Sequence, residues 1–218
     1  GLGDVYKRQG AYATYVGQEI GKFYGWVYEG IARTQDELDG HATQQGANVG
    51  DCLYKDISGP NGEPDGVIDA YDQTVLGSGL PKVNFGLSTH MEYKGFDLNI
   101  STYGVLNYHV SDDIYNSLNS CYGYGNKEVG MLDANRWSED GSTYLSSVPR
   151  TYAANNATLG WNDLFSSRKI QNAAYWKIAN VELGYNFPDK WFGGYVSGVR
   201  LYVSAQNLYT FTGYHGYN

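Results

Sequence analysis

Apolar and polar residues alternate along four stretches of the chain, the pattern of a strand with one face in an apolar medium and one in water. Val83, Phe85, Leu87, Thr89, Met91 and Tyr93 share one face, against Asn84, Gly86, Ser88, His90 and Glu92. Phe96, Leu98, Ile100 and Thr102 oppose Asp97, Asn99 and Ser101. Val181, Leu183, Tyr185 and Phe187 oppose Asn180, Glu182, Gly184 and Asn186, and Val199, Leu201, Val203 and Ala205 oppose Arg200, Tyr202, Ser204 and Gln206. These lengths suit a tilted strand crossing a membrane, which takes about 9–11 residues. A fifth candidate strand, Lys22 to Arg33, is aromatic and interrupted by glycine, and alternates less cleanly.

The connections are unequal. Lys94-Gly95 reads as a tight hairpin turn, with glycine free to take positive φ. Pro188 to Gly198 is a moderate, Gly-rich turn, whereas Asp36 to Leu80 and Ser111 to Ser167 are long and polar. Connections that long are uncommon in compact soluble domains, and short turns opposite long loops are the pattern of an outer-membrane barrel. Ser111-Asp112-Asp113 can start a helix, and Ile114, Leu118, Val129 and Leu132 recur at loose helical spacing, so short helical pieces are expected within Ser111 to Glu139. Tyr93, Phe96, Tyr185, Phe187, Trp191, Phe192 and Tyr195 gather at strand ends beside the short turns, as an interfacial aromatic girdle does. Glu92, Asp97, Glu182 and Arg200 fall on the polar faces. They face a hydrated lumen if the strands form a barrel, and bulk water if they form a sandwich. Periodicity alone leaves both open.

Composition narrows the classes. The 218 residues include 22 Tyr and 29 Gly but only 5 Pro, which suits an all-β chain. A net charge of −8 argues against a general nucleic-acid binder. No run approaches the ~20 apolar residues of a transmembrane helix, which excludes helical spans but not barrel strands, whose alternation averages out as polar. Cys52 and Cys121 form no CxxC unit and are compatible with a disulfide or with two incidental thiols. His41, His90, His109 and His215 make no HExxH or HxH unit, and there is no GxSxG elbow or P-loop, so no catalytic residue is assigned and no enzyme is expected. Asp4-Val5-Tyr6-Lys7-Arg8-Gln9 resembles the translation of a sequencing adaptor, so residues 1–9 are set aside and residues 10–218 are read as one stretch of structure.

Two groups of residues suggest binding chemistry. Asn61, Glu63, Asp65, Val67, Asp69 and Asp72 match the 1, 3, 5, 7, 9, 12 spacing of an EF-hand calcium loop, with Gly66 at the sharp turn. Asn at the first position, Glu at the third and a short Asp at the last depart from the ideal. Tyr122, Tyr124, Trp137, Tyr144 and Trp161 lie in the second long connection, where exposed aromatic faces would stack on sugar rings.

An ordered series of segments resembles the SusC/RagA family of TonB-linked outer-membrane proteins. It runs through Lys22-Phe23-Tyr24-Gly25-Trp26, Tyr54-Lys55-Asp56, Asp65-Gly66-Val67-Ile68-Asp69, Leu80-Pro81-Lys82 and Tyr93-Lys94-Gly95-Phe96-Asp97-Leu98. It continues through Asn135-Arg136-Trp137, Pro149-Arg150, Ser167-Arg168-Lys169-Ile170, Asn180-Val181-Glu182-Leu183-Gly184-Tyr185 and Leu201 to Thr212. The resemblance covers nearly all of residues 17–218. It implies an all-β fold, a partial antiparallel transmembrane β-barrel that is incomplete and open, with long extracellular loops, truncated at both ends. It further implies import of oligosaccharides or peptides across the bacterial outer membrane, with a TonB system and a SusD-like lipoprotein as partners. Glu92, Glu182 and Arg200 become lumen-facing candidates. The family places its first loop ligand at the Asp after Tyr-Lys, here Asp56. Either Asn61 replaces it, or an insertion at Ser58 to Pro64 bulges out and Asp56 still reaches. The runner-up is a secreted, calcium-stabilised β-sandwich that binds glycans.

Overall fold

The computed structural model describes residues 5–9, 12–15, 17, 19–118, 137–138, 148–150, 160–196 and 198–215. In chain order the strands are β1 (Val5–Gln9), β2 (Tyr12–Tyr15), β3 (Lys22–Gly25), β4 (Tyr28–Ile31), β5 (Cys52–Tyr54) and β6 (Thr74–Ser78). They continue with β7 (Val83–Tyr93), β8 (Phe96–Leu106), β9 (His109–Val110), β10 (Gln171–Asn172), β11 (Tyr175–Asn186) and β12 (Arg200–Thr212). Two short helices, α1 (Gln35–Asp39) and α2 (Asp113–Leu118), complete the α/β inventory. The chain divides into two units, one of Leu80–His109 with Asn172–Tyr214 and one from the remainder.

The first unit is one antiparallel sheet in the order β12-β11-β8-β7. The register aligns the apolar positions into rows. Phe96 pairs with Tyr93 and Tyr185, and Tyr185 with Leu201. Leu98 pairs with Met91 and Leu183, and Leu183 with Val203. A one-residue slip would send each row to the wrong face, so the alternation fixes the pairing. The apolar face is open: Leu87, Leu201 and Val203 are 62%, 68% and 67% exposed. A sandwich would bury that face against a second sheet; within this unit the face is uncovered. It is what a lipid-facing wall requires.

The strands run past the ends of the simple alternation. Between Ile178 and Asn180 the register of β11 shifts against both neighbours, leaving Ala179 as the extra residue. On β12 the step falls at Asn207 and Leu208, and Asn207 takes φ of 54°. The bulge reverses which residues of β11 point to which side. Odd positions from Val181 to Tyr185 line the apolar face, but beyond the bulge Trp176 and Ile178 do, opposite Phe211 and Tyr209. Trp176 stacks on Phe211 at 5.2 Å between ring centroids. This makes a second aromatic row at the far end of the sheet, nine residues along β11 from Tyr185. The bulge takes up one of those residues, leaving eight rungs of the ladder; at about 3.3 Å per rung and the ~40° tilt of a barrel strand, the two rows would lie roughly 20 Å apart, comparable with the ~25 Å apolar band of outer-membrane barrels.

The second unit corrects the expectation of an open polar loop from Asp36 to Leu80. That segment holds α1, β5 and β6, and Cys52, Tyr54 and Ile68 form a buried core with Trp26, Tyr28, Trp161 and Leu164 packed on it. Its sheet has the order β1-β2-β3-β6, with β4 and β5 paired separately. The fifth candidate strand accordingly breaks in two. β3 pairs with β2 and β6, β4 pairs with β5, and Trp26 between them bridges to Ser166. The expected helix start at Ser111-Asp112-Asp113 opens α2; Val129 and Leu132 lie outside the described residues.

Gly184 of β11 has a steric reason. A Cβ there would lie 2.6 Å from Asp97 Oδ2 and from Arg200 Nη2, which pair across it. Gly184→Val should therefore displace that ion pair and destabilise the sheet by about 2–3 kcal/mol, within the range of severe single substitutions. The check is a lowered transition temperature in a heat-modifiability gel of the detergent-solubilised barrel, with Gly86→Ala, whose Cβ meets only Thr102 O at 3.7 Å, close to wild type.

Candidate functional site

The polar face of the sheet gathers its charge at the end bearing the short turns. Asp97, 5% exposed, accepts from Arg200 Nε at 3.0 Å, from Arg200 Nη2 at 2.5 Å and from Asn186 Nδ2 at 3.0 Å. Arg200 Nη2 also donates to Glu182 Oε1 at 2.6 Å, and the guanidinium lies 5.0 Å over the Tyr202 ring. One rung along, the His90 ring sits between Asn99 Oδ1 at 2.6 Å and Glu92 Oε1 at 2.9 Å. The sequence candidates Glu92, Glu182 and Arg200 thus share one face, with Arg200 held between two carboxylates. A planar guanidinium suits this bidentate role, and the fork pins β12 to β8 across β11. The group offers a hydrated, acidic wall with no nucleophile–base pair.

In the acidic loop the carboxylates are engaged by backbone amides. Asn61 and Glu63 lie on an exposed turn, closed by Gly59 N donating to Glu63 O and Gly62 N to Gly59 O. The insertion bulges outward, and Asp56 reaches the loop, its Oδ2 accepting from Gly66 N at 2.7 Å. Asp65 accepts from Val67 N, and Asp69 from Tyr71 N. Asp72 is fully buried and takes three backbone amides, from Ile57, Ser58 and Asp69. Asp69 and Asp72 form a reciprocal capping box over the single turn Ala70–Asp72. Among the described residues no three His, Cys, Asp or Glu side chains gather to hold a metal. Asp56 Oδ1 is nonetheless buried without a hydrogen-bond partner. The donor set fits calcium only in part: one buried oxygen is free, and the other carboxylates already satisfy backbone amides that would otherwise be orphaned.

The aromatic candidates in the second long connection fare differently. Trp137 is buried, with its ring packed on Gly50, where no side chain would fit. Trp161 packs on the core through Tyr54 and donates its indole N–H to Gln45 O at 3.0 Å. Both rings make packing contacts within this unit. Tyr122, Tyr124 and Tyr144 lie outside the described residues, as does Cys121; Cys52 is fully buried.

Sequence reading missed the polar core of this unit. Asp51, 2% exposed, accepts Arg150 Nε at 2.7 Å and Nη2 at 2.9 Å. Asn162 donates to Asp51 Oδ1 and to Arg150 O, and accepts from Cys52 N. Gln44 receives Tyr54 N and donates to Cys52 O. The Tyr54 hydroxyl donates to Trp161 O; burial, then neighbouring Cys52, pushes its pKa well above the ordinary tyrosine value. Asp51, Cys52 and Tyr54 lie about a hundred residues from their partners Arg150, Asn162 and Trp161, so no local spacing announces those contacts.

No family model matches the chain. A TonB-dependent receptor of Formosa agariphila, P3, is 31% identical over 202 residues, which is 92% of this chain and 18% of that receptor. The TonB-dependent receptor SusC of Bacteroides thetaiotaomicron is 26% identical over 75% of the chain and 16% of its own length. Among solved structures, the RagAB peptide importer in its open-open state superposes with a TM-score of 0.70 at 23% identity, over 99% of this chain and 21% of that one. The chain is a stretch of SusC/RagA-type TonB-dependent receptor. It spans about a fifth of the length of the receptors it matches. The SusC/RagA-type sheet is therefore outer-membrane barrel wall, and its relatives are receptors and transporters, not enzymes.

The Asp51–Arg150 pair yields a direct test within this SusC/RagA-type unit. Asp51→Ala leaves Arg150 and Asn162 without their acceptor. Breaking a buried pair costs about 3–5 kcal/mol, and with Arg150 partly open to water a loss of about 2–3 kcal/mol is expected. Limited proteolysis should then cut the unit of β4 and β5 while the sheet of β7, β8, β11 and β12 keeps its heat-modifiable mobility.

Proposed function

We propose that the chain forms part of the barrel wall and outer loops of a TonB-dependent importer that takes up oligosaccharides or peptides with a SusD-like surface lipoprotein. The observation that carries this reading is the open apolar face, bounded by two aromatic rows and backed by a charged polar face. The relatives support the transport class: RagAB is a peptide importer, and SusC and P3 are TonB-dependent receptors. The apolar face meets lipid; the face of Glu92, Asp97, Glu182 and Arg200 lines the hydrated interior. In cells, the whole receptor should fractionate with outer membranes, and disrupting its gene or TonB should abolish uptake of a labelled oligosaccharide or peptide pool. A protein that partitions with the aqueous fraction would sink this reading.

Calcium enters as a proposal centred on Asp56 in place of the Asn61–Glu63 register. Asp56 Oδ1 supplies the free buried oxygen, and Asp65, Asp69 and the Val67 carbonyl stand in the neighbouring loop positions. With so few free oxygens, binding in the weak, extracellular-module range of about 10⁻⁴–10⁻³ M is expected. Millimolar calcium should raise the protease resistance of the loop relative to chelator, and Asp56→Asn should abolish the difference. Equal resistance in calcium and chelator would remove the ion from the account.

A further inference from the structure

We propose that the apolar face carries a specific site for one phospholipid of the inner leaflet, next to the short turns. This rests on the barrel reading above but goes beyond a generally greasy wall. A cleft of about 380 Å³ opens on that face, lined by Phe96, Leu183, Tyr185, Leu201 and Val203 with the backbone flank of Gly184. Its volume falls at the lower end for small-molecule pockets, enough for a length of acyl chain. The cleft has a local cause. Tyr185 leans away from β12 toward the hairpin turn, where its Cε2 comes within 3.1 Å of a Cβ placed on Gly95, and packs on Phe96 at 4.7 Å between centroids. The lean leaves Leu183, Leu201 and Val203 as an uncovered shelf.

The rim above the shelf is aromatic and cationic. Phe187 contacts Tyr185, Trp191 and Phe192 edge-on, extending the ring cluster into the turn. Trp191 is 63% exposed. Lys94 lies in one short turn, its Nζ 5.1 Å over the Tyr93 ring, and Lys190 lies in the other. Neither forms an ion pair among the described residues. The one carboxylate of the longer turn, Asp189, is engaged by Gly198 N at 3.0 Å. The two lysines stand in the two short turns at the end of the sheet that bears the cleft, and ammonium groups at the level of an aromatic girdle complement a phosphate headgroup with its chain lying downward over the shelf. Short turns of such barrels face the periplasm, so the leaflet is the inner one, where the phosphate belongs to a glycerophospholipid.

The test uses the whole receptor extracted from outer membranes in mild detergent and read by native mass spectrometry. Dioleoylphosphatidylglycerol is the probe, and dioleoylglycerol, with the same chains and no phosphate, is the control. Wild type should retain one phosphatidylglycerol and little diacylglycerol. Lys94→Glu with Lys190→Glu should lower retention about tenfold or more. Val203→Trp fills the shelf and should abolish retention, whereas Leu87→Trp, on the same face of β7 but outside the cleft, should not. Heat-modifiability of each variant shows that the barrel is folded, so a protein found in the outer membrane that fails this test overturns the lipid site and leaves the importer reading standing. Equal retention by wild type and folded Val203→Trp, or equal retention of the two lipids by wild type, overturns the proposal.

Discussion

A strand in hydrocarbon has no water to take up its N–H and C=O groups, so each must find a partner on a neighbouring strand. That requirement governs the sheet of β7, β8, β11 and β12. β8 and β11 are paired on both sides over nearly their whole length, and the short Lys94-Gly95 turn keeps β7 and β8 in register from Tyr93–Phe96 to Val83–Leu106. The bulge at Ala179 is the local concession. One extra residue reverses the facing of β11, so that Trp176 and Ile178 join the apolar side in place of Tyr175 and Lys177.

The polar face depends on that register too. Arg200 reaches Asp97 only because β12 and β8 flank β11 at matching heights and because position 184 has no side chain in the way. With Asp97 only 5% exposed, its attraction for the guanidinium is less screened than that of a pair on an open surface. The face thereby stays charged yet ordered.

The second unit solves a different problem. It supplements a small apolar core with a network of buried polar groups. Asp51, Arg150 and Asn162 tie the start of β5 to segments about a hundred residues later, Gln44 joins β5 from eight and ten residues away, and Asp72 collects three amides of the acidic loop. A buried polar network holds best when its members are paired, and the Asp51–Arg150–Asn162 set meets that condition.

The sequence by itself determined the sheet. Period-2 alternation is local, and Leu87, Leu183 and Leu201 declare their face through neighbours two residues away. It also determined the receptor family, through short motifs in a particular order. Only the tertiary structure decided the rest, because the deciding contacts are remote. The facing of Trp176 required the bulge; the role of Asp51 required Arg150, ninety-nine residues on; the contact of Asp56 with Gly66 N required the fold of the loop between them. Spacing along a chain can propose which oxygens share a loop, but hydrogen-bond geometry assigns them. In this loop the backbone amides, placed by the fold, claimed most of the carboxylates that the sequence had offered to a metal.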